Sequence, residues 1–143
     1  MITQDKLNHI LAVSRQAYNI AKRNGFDEEF ARKCFMLGWT HDVGYEFCNK
    51  PTEHPEISVE LLESLGVLDL KVWEAIRYHS AQVKESDEWK ILTEADMTVN
   101  SKGETVSVRE RLNEIKWRYG KTSEQYLISK EICEKLGILD KTP

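Results

Sequence analysis

The sequence of 143 residues predicts an all-α fold, a helical bundle of about six to seven helices. Three observations support this prediction. Apolar residues recur at intervals of three and four along most of the chain, and capping residues and glycines mark where these stretches begin and end. No segment of four or more residues alternates as a strand does. We expect short connections between the helices and a single domain over residues 1–143.

The first two helices have the clearest limits. The first is predicted from about Thr3 to Asn24, with Gly25 in the left-handed conformation that ends it. The second is predicted to begin near Asp27, a favourable N-cap, and to end at His41. Its inward face is predicted to carry Phe30, Cys34, Leu37 and then His41.

The later helices follow from the same kinds of signal. A proline in a first turn, acidic residues near the beginnings and two capping boxes mark where they start, and glycines mark three of the ends. The predicted helices run from His54 to Gly66, from after Asp69 to about Tyr78, from an Asp87 cap through Asp96, from Ser107 to Gly120 and from Thr122 to Gly137.

Composition limits the classes of function. The net charge of −4 disfavours nucleic-acid binding, because such proteins usually carry a basic excess. No apolar run is long enough for a membrane span, and the first residues do not resemble a signal peptide. Three cysteines without a CxxC pair argue against a disulfide framework, so we expect a cytoplasmic protein.

Polar residues inside apolar helices are the first indication of a site. His41 and Asp42 follow one apolar helix, and Asp96 lies within another, between Ile91 and Met97. Burying such groups is costly unless they are paired or bind a metal. Taken alone, the His41-Asp42 pair is better explained by a hydrogen-bonded core histidine and a turn cap. The chain has four histidines, however, and each stands where a bundle could point it inward: His9, His41, His54 and His79.

The order of these residues resembles the metal signature of the HD-domain phosphohydrolase superfamily. The positions that carry the resemblance are His9, His41-Asp42 and Asp96. The resemblance implies an HD domain whose metal-site core covers about residues 5–100, with C-terminal helices at about 107–136. It also implies that these four side chains hold one metal ion.

The two remaining histidines extend the resemblance to the YqeK-like group of symmetrical diadenosine tetraphosphate hydrolases, which contain a two-iron centre. By that resemblance, His54 and His79 hold a second ion and Asp42 bridges the two. Many two-metal members have the pattern HDxxK, and in this chain Tyr45 stands at the lysine position.

The resemblance implies a phosphohydrolase that attacks a nucleotide or dinucleoside polyphosphate with a metal-bound hydroxide, with Asp42 as the catalytic metal ligand. Imidazole and carboxylate together suit Fe, Mn, Co, Ni or Zn, and two divalent ions are expected. Such ions activate water and clamp phosphoryl oxygens, so no nucleophilic serine or cysteine is needed. The chain accordingly has neither a G-x-S-x-G elbow nor a P-loop.

Five cations are candidates for contacts with phosphate: Arg77, Lys84, Lys102, Arg109 and Arg111. Of these, Arg77, two residues before His79, and Lys102, in a loop that could fold over the site, are predicted to bind substrate. For any single cation, a solvated helix face is the more common explanation. The expected partner is a small phosphorylated molecule of the nucleotide class, and a homodimer is left open.

Three alternatives remain at this point. The chain could be a non-catalytic metal- or nucleotide-binding protein on the same fold, or a mononuclear nucleoside monophosphate phosphatase. It could also be a helical interaction module whose histidines are merely buried.

Overall fold

The computed structural model describes residues 2–79 and 81–143, and within these ranges the chain forms seven α-helices. They are α1 (Gln4–Arg23), α2 (Glu28–Thr40), α3 (His54–Ser64), α4 (Leu70–Arg77), α5 (Asp87–Asp96), α6 (Val108–Tyr119) and α7 (Glu124–Leu136). Two 3₁₀ turns, Val43–Glu46 and Pro51–Glu53, connect α2 to α3. The described residues form no strand beyond a single bridge between Val99 and Thr105. The predicted all-α fold is therefore confirmed.

Side-chain caps explain where most helices begin. A side chain before the helix accepts a hydrogen bond from a first-turn amide at Thr3, Asp27, Asp69 and Ser107. Two caps differ from the prediction: Ser86 caps α5 and Ser123 caps α7, whereas the sequence favours Asp87 and Thr122. In each case the hydroxyl of a neighbouring serine reaches the amide three residues on. Asp87 instead lies in the first turn, where a carboxylate favours the helix dipole.

The main core lies where α5 packs against α1, α2 and α4. Its largest fully buried side chains include Leu37, Ile76, Trp89 and Leu92. Between α1 and α2 the backbones themselves come close, because a Cβ built on Gly38 would lie 2.5 Å from Cα of Ser14. Glycine at this position therefore sets how closely the first two helices pack.

A smaller apolar cluster joins the last two helices to the end of α5. Its buried members are Met97, Val108, Leu112, Cys133 and Ile138. This cluster packs α6 and α7 against each other and against Met97 at the end of α5. None of the described helices is both long and apolar enough to cross a membrane.

The turn after α2 is pressed against α3. The Gly44 amide donates to Oγ of Ser58 at 2.7 Å, and this hydroxyl donates to the His41 carbonyl at 3.2 Å. A Cβ on Gly44 would lie 2.0 Å from the carbonyl oxygen of His54. This close approach places the beginning of α3 directly beside the His41-Asp42 pair.

Candidate metal centre

Asp42 lies at the middle of the four histidines and is buried. Its Oδ2 lies 3.2 Å from Nε2 of His41 and 3.7 Å from Nε2 of His9. Its Oδ1 lies 3.1 Å from Nε2 of His54 and 3.3 Å from Nε2 of His79. The two oxygens of one carboxylate therefore face two different pairs of imidazoles.

These contacts define two groups that could each hold a metal ion. The first cluster consists of His9, His41 and Asp42, and Asp96 of α5 borders it. Oδ1 of Asp96 lies 3.0 Å from Nε2 of His9 and 3.8 Å from Nε2 of His41. The second cluster consists of Asp42, His54 and His79. All six residues that the sequence suggests as ligands thus lie together, although their role as ligands stays a prediction.

Each histidine is oriented by a backbone carbonyl at its other ring nitrogen. The Nδ1 partners are the carbonyl oxygens of Asn100 for His9 at 2.9 Å, Gly38 for His41 at 2.6 Å, Pro51 for His54 at 2.5 Å and Ile76 for His79 at 2.5 Å. In the last three cases the carbonyl belongs to the residue three positions earlier, so the local helical turn itself sets the ring. A proton on Nδ1 leaves the lone pair on Nε2, as in metal-binding histidines.

The ring nitrogens that face inward are unfavourably placed without a cation. The Nε2 atoms of His54 and His79 are 3.0 Å apart. Two neutral imidazoles in this orientation point lone pairs at each other. The Nε2 of His41 is buried and, among the described residues, makes no hydrogen bond. Both observations fit a bound metal ion, for which imidazole and carboxylate are suitable donors.

The charges in the centre also favour a cation. Burial opposes ionisation of Asp42 and Asp96, but the surrounding histidines hold the pKa of both carboxyl groups well below its ordinary value. Burial likewise opposes the charged form of His41, but the two carboxylates raise its pKa to about 10. Burial lowers the pKa of His54 in spite of Asp42. Two buried, ionised carboxylates require nearby positive charge, which a divalent ion would supply.

A cavity of about 310 Å³ opens onto both clusters. Its other walls include three cations and three larger side chains: Lys6, Arg111, Arg118, Tyr45, Ile115 and Tyr119. The Nζ of Lys6 lies 3.2 Å from Oδ2 of Asp42 and 4.1 Å from the ring centre of Tyr45. The Tyr45 ring in turn stacks on His54 with centres 3.9 Å apart. Tyr45 is uncharged, and Lys6 of α1 therefore supplies the cation on this side of Asp42.

Arg111 of α6 reaches the edge of the first cluster at Asp96. Its Nη2 lies 3.8 Å from Oδ1 of Asp96, and its Nη1 is bonded to Glu114. Glu114 also accepts hydrogen bonds from the amide of Ser101, at 3.1 Å, and from its hydroxyl, at 2.7 Å. Glu114 therefore fixes both the arginine and the loop after α5 at the edge of the cavity.

The two residues predicted to bind substrate lie elsewhere. The guanidinium of Arg77 makes two hydrogen bonds to Glu56, at 2.8 and 3.0 Å. Lys102 is exposed. Neither residue is among those that line the cavity. Their role in substrate binding stays a prediction.

Sequence reasoning missed Lys6, Glu114 and Arg118 as parts of the site. A positional signal was present for two of them. Lys6 lies one helical turn before His9, and Arg118 lies two turns after Arg111, so each shares a helix face with a residue of the site. Such spacing is common among charged residues of amphipathic helices, which is why it does not single out a site by itself.

A family model described as "HD domain" matches residues 7–115 of the chain. No curated protein and no solved structure matches it. The matched range includes every residue of the two clusters, Asp96 and Arg111.

Proposed function

The chain belongs to the HD-domain superfamily, which is of the metal-dependent phosphohydrolase type, and from this membership we propose that it hydrolyses a phosphate compound of the nucleotide class with the help of two divalent ions. The observation that carries this proposal is the position of Asp42. Its two oxygens face separate histidine pairs, as expected of a carboxylate shared by two ions. A centre for one ion would not require His54 and His79 to converge on the same carboxylate.

Several residues of the chain would contribute to hydrolysis beside the bound ions. When bound, divalent ions lower the pKa of water toward about 7 and draw charge from phosphoryl oxygens. The backbone carbonyls contact Nδ1 of the four histidines, so the Nε2 atoms already face Asp42 and the rings need not turn to bind. Lys6 and Arg111 stand beside the two clusters and would stabilise negative charge on a phosphate group.

The shape of the cavity supports a substrate of nucleotide size. Its volume of about 310 Å³ is at the low end of the roughly 300–1,000 Å³ that small-molecule sites span. Tyr45, Ile115 and Tyr119 offer apolar and aromatic surface for a nucleoside. A dinucleoside polyphosphate, the substrate of the YqeK-like group, would place its second nucleoside outside this cavity.

Metal content and turnover together test the proposal. Protein purified without an affinity tag would be analysed for transition metals and assayed on nucleoside mono- and triphosphates and a dinucleoside tetraphosphate. We expect about two ions per chain, about one in His79→Ala, and no turnover in Asp42→Asn. Asp140→Asn is the control, because this exposed carboxylate pairs with Arg109 at the surface.

Two outcomes would contradict the proposal. Two bound ions without hydrolysis of any of these compounds would favour the non-catalytic alternative. A single ion in both wild type and His79→Ala would favour a mononuclear phosphatase.

A further inference from the structure

A second cavity, of about 220 Å³, adjoins the first. The two cavities share four lining residues, which are Lys6, His9, Arg111 and Arg118. The walls of the second cavity therefore carry three cations, against a single carboxylate from Asp5. A cavity whose walls carry more positive than negative charge attracts anions.

The three cations differ in how far carboxylates of the chain balance their charge. Lys6 lies against Asp42, and Arg111 lies near Asp96 and is bonded to Glu114. Arg118 forms no ion pair with any residue in the described part of the chain. Its charge is therefore available to a ligand, whereas those of the other two are partly balanced.

The spacing along α6 suits a ligand with more than one phosphate. Arg111 and Arg118 are seven residues apart, which corresponds to roughly 10.5 Å along a helix axis. A single phosphate held by Arg111 at the edge of the first cluster would not account for the further cation, Arg118, in the same cavity wall. A chain of linked phosphates could engage both guanidinium groups, whose planar donors match phosphate oxygens.

We propose that the second cavity, bounded by Lys6, Arg111 and Arg118, is a subsite for the additional phosphates of a polyphosphate chain. The substrates would then be phosphoanhydrides, such as nucleoside triphosphates or dinucleoside polyphosphates, rather than phosphomonoesters. Hydrolysis breaks one P–O–P link: the oxygen of water forms the new P–O bond, the bridging oxygen leaves with the other phosphate, and a proton of water is released. The reaction rests on the proposed function, but binding at the subsite does not.

Equilibrium binding separates the two claims. Calorimetry on the full chain with its metals would compare a non-hydrolysable nucleoside triphosphate, in which methylene groups replace the bridging oxygens between the phosphates, with the corresponding monophosphate. We expect the triphosphate to bind at least tenfold more tightly in the wild type. Arg118→Ala should remove about tenfold of that preference and leave monophosphate affinity unchanged.

Lys116→Ala is the matched control, because it removes a positive charge from the same helix at a residue that lines neither cavity. It should preserve the triphosphate preference. Arg118 is exposed, so a chain with another residue at this position should still fold. Arg118→Gln provides a second variant, which keeps hydrogen-bonding capacity but lacks the charge.

Equal affinities for the two nucleotides in the wild type would overturn the subsite, as would an Arg118→Ala variant that weakens both ligands alike. The absence of binding by either nucleotide would also overturn it. Tighter triphosphate binding that depends on Arg118, without turnover of any phosphate compound, would support the subsite and contradict the hydrolase proposal.

Discussion

The Nε2 atoms of His54 and His79 lie 3.0 Å apart, while the Nδ1 of each ring bonds the carbonyl oxygen three residues earlier. A carbonyl thus holds Nδ1 of each ring, and the Nε2 of each ring points at the Nε2 of the other ring. In the neutral state this contact is repulsive, and a cation between or beside the rings would relieve it. The pair is therefore expected to make metal binding and folding strongly interdependent.

Removal of metal should lower the stability of the fold. A ligand that binds only the native state adds about 2.7 kcal/mol when its free concentration is 100 times its Kd. Thermal unfolding with and without chelator measures this gain. In His79→Ala, which lacks one ligand of the second cluster, we expect roughly half the gain. Lys116→Ala should keep all of it. A melting temperature that chelator leaves unchanged would argue against a resident metal.

Apparent metal affinity should rise with pH between about 7 and 10. The pKa of His41 is raised from 6.5 to about 10, so the metal-free chain keeps a proton there that metal must displace. The same raised pKa stabilises the metal-free fold fully below pH 6.5, and this contribution is lost as pH rises through about 10. Competition with a coloured chelator at several pH values measures the affinity. We expect about tenfold tighter binding per pH unit for each proton displaced; a flat profile would contradict this.

Gly38→Ala should destabilise the protein although alanine favours helices. In an exposed helix interior this change gains up to about 1 kcal/mol. Here the added Cβ would meet Cα of Ser14 at 2.5 Å, so α1 and α2 must separate. We expect a net loss of about 1–3 kcal/mol in denaturant unfolding. Arg32→Ala, on the exposed face of α2, should change the free energy of unfolding by less than about 0.5 kcal/mol. A more stable Gly38→Ala variant would show that the helices tolerate a wider spacing.

The three cysteines should differ sharply in reactivity. Burial raises the pKa of Cys34 and of Cys133 to about 12, so at pH 8 their thiolate fraction is on the order of 10⁻⁴. Cys48 is only partly buried and donates to the carbonyl of Tyr45 at 3.6 Å. Titration with an aromatic disulfide should show one thiol reacting rapidly in the native protein and three in denaturant. Cys48→Ser should eliminate the rapid phase; rapid reaction of a second thiol would contradict the buried core.

The helices could be predicted because their signals are local. Thr3 and Asp27 cap the helices that follow them, and periodic apolar residues define the inward faces. At Ser86 and Ser123 two adjacent residues compete for one cap, and an error of one position resulted. The 3₁₀ turn Val43–Glu46 has no comparable sequence signal, because the packing of Gly44 on α3 shapes it.

The candidate site could be predicted in composition but not in arrangement. His41, Asp42 and Asp96 could be predicted because burying polar residues in or beside apolar helices costs free energy unless they are paired or bind a metal. The division of the Asp42 oxygens between two histidine pairs depends on how α1, α3 and α4 approach the end of α2, which no local pattern encodes. Lys6 and Arg118 were missed for the same reason, since they line the cavity only because of where α1 and α6 lie in the fold.

The residues around Asp42 also become available in a fixed order as the chain is made. On a ribosome adding about 5–20 residues per second, His79 is joined roughly one to three seconds before Asp96. All three residues of the second cluster are then present, whereas the neighbourhood of His9 still lacks the carboxylate of α5. On a growing chain, the second cluster therefore has all its residues before the first cluster gains the carboxylate that borders it.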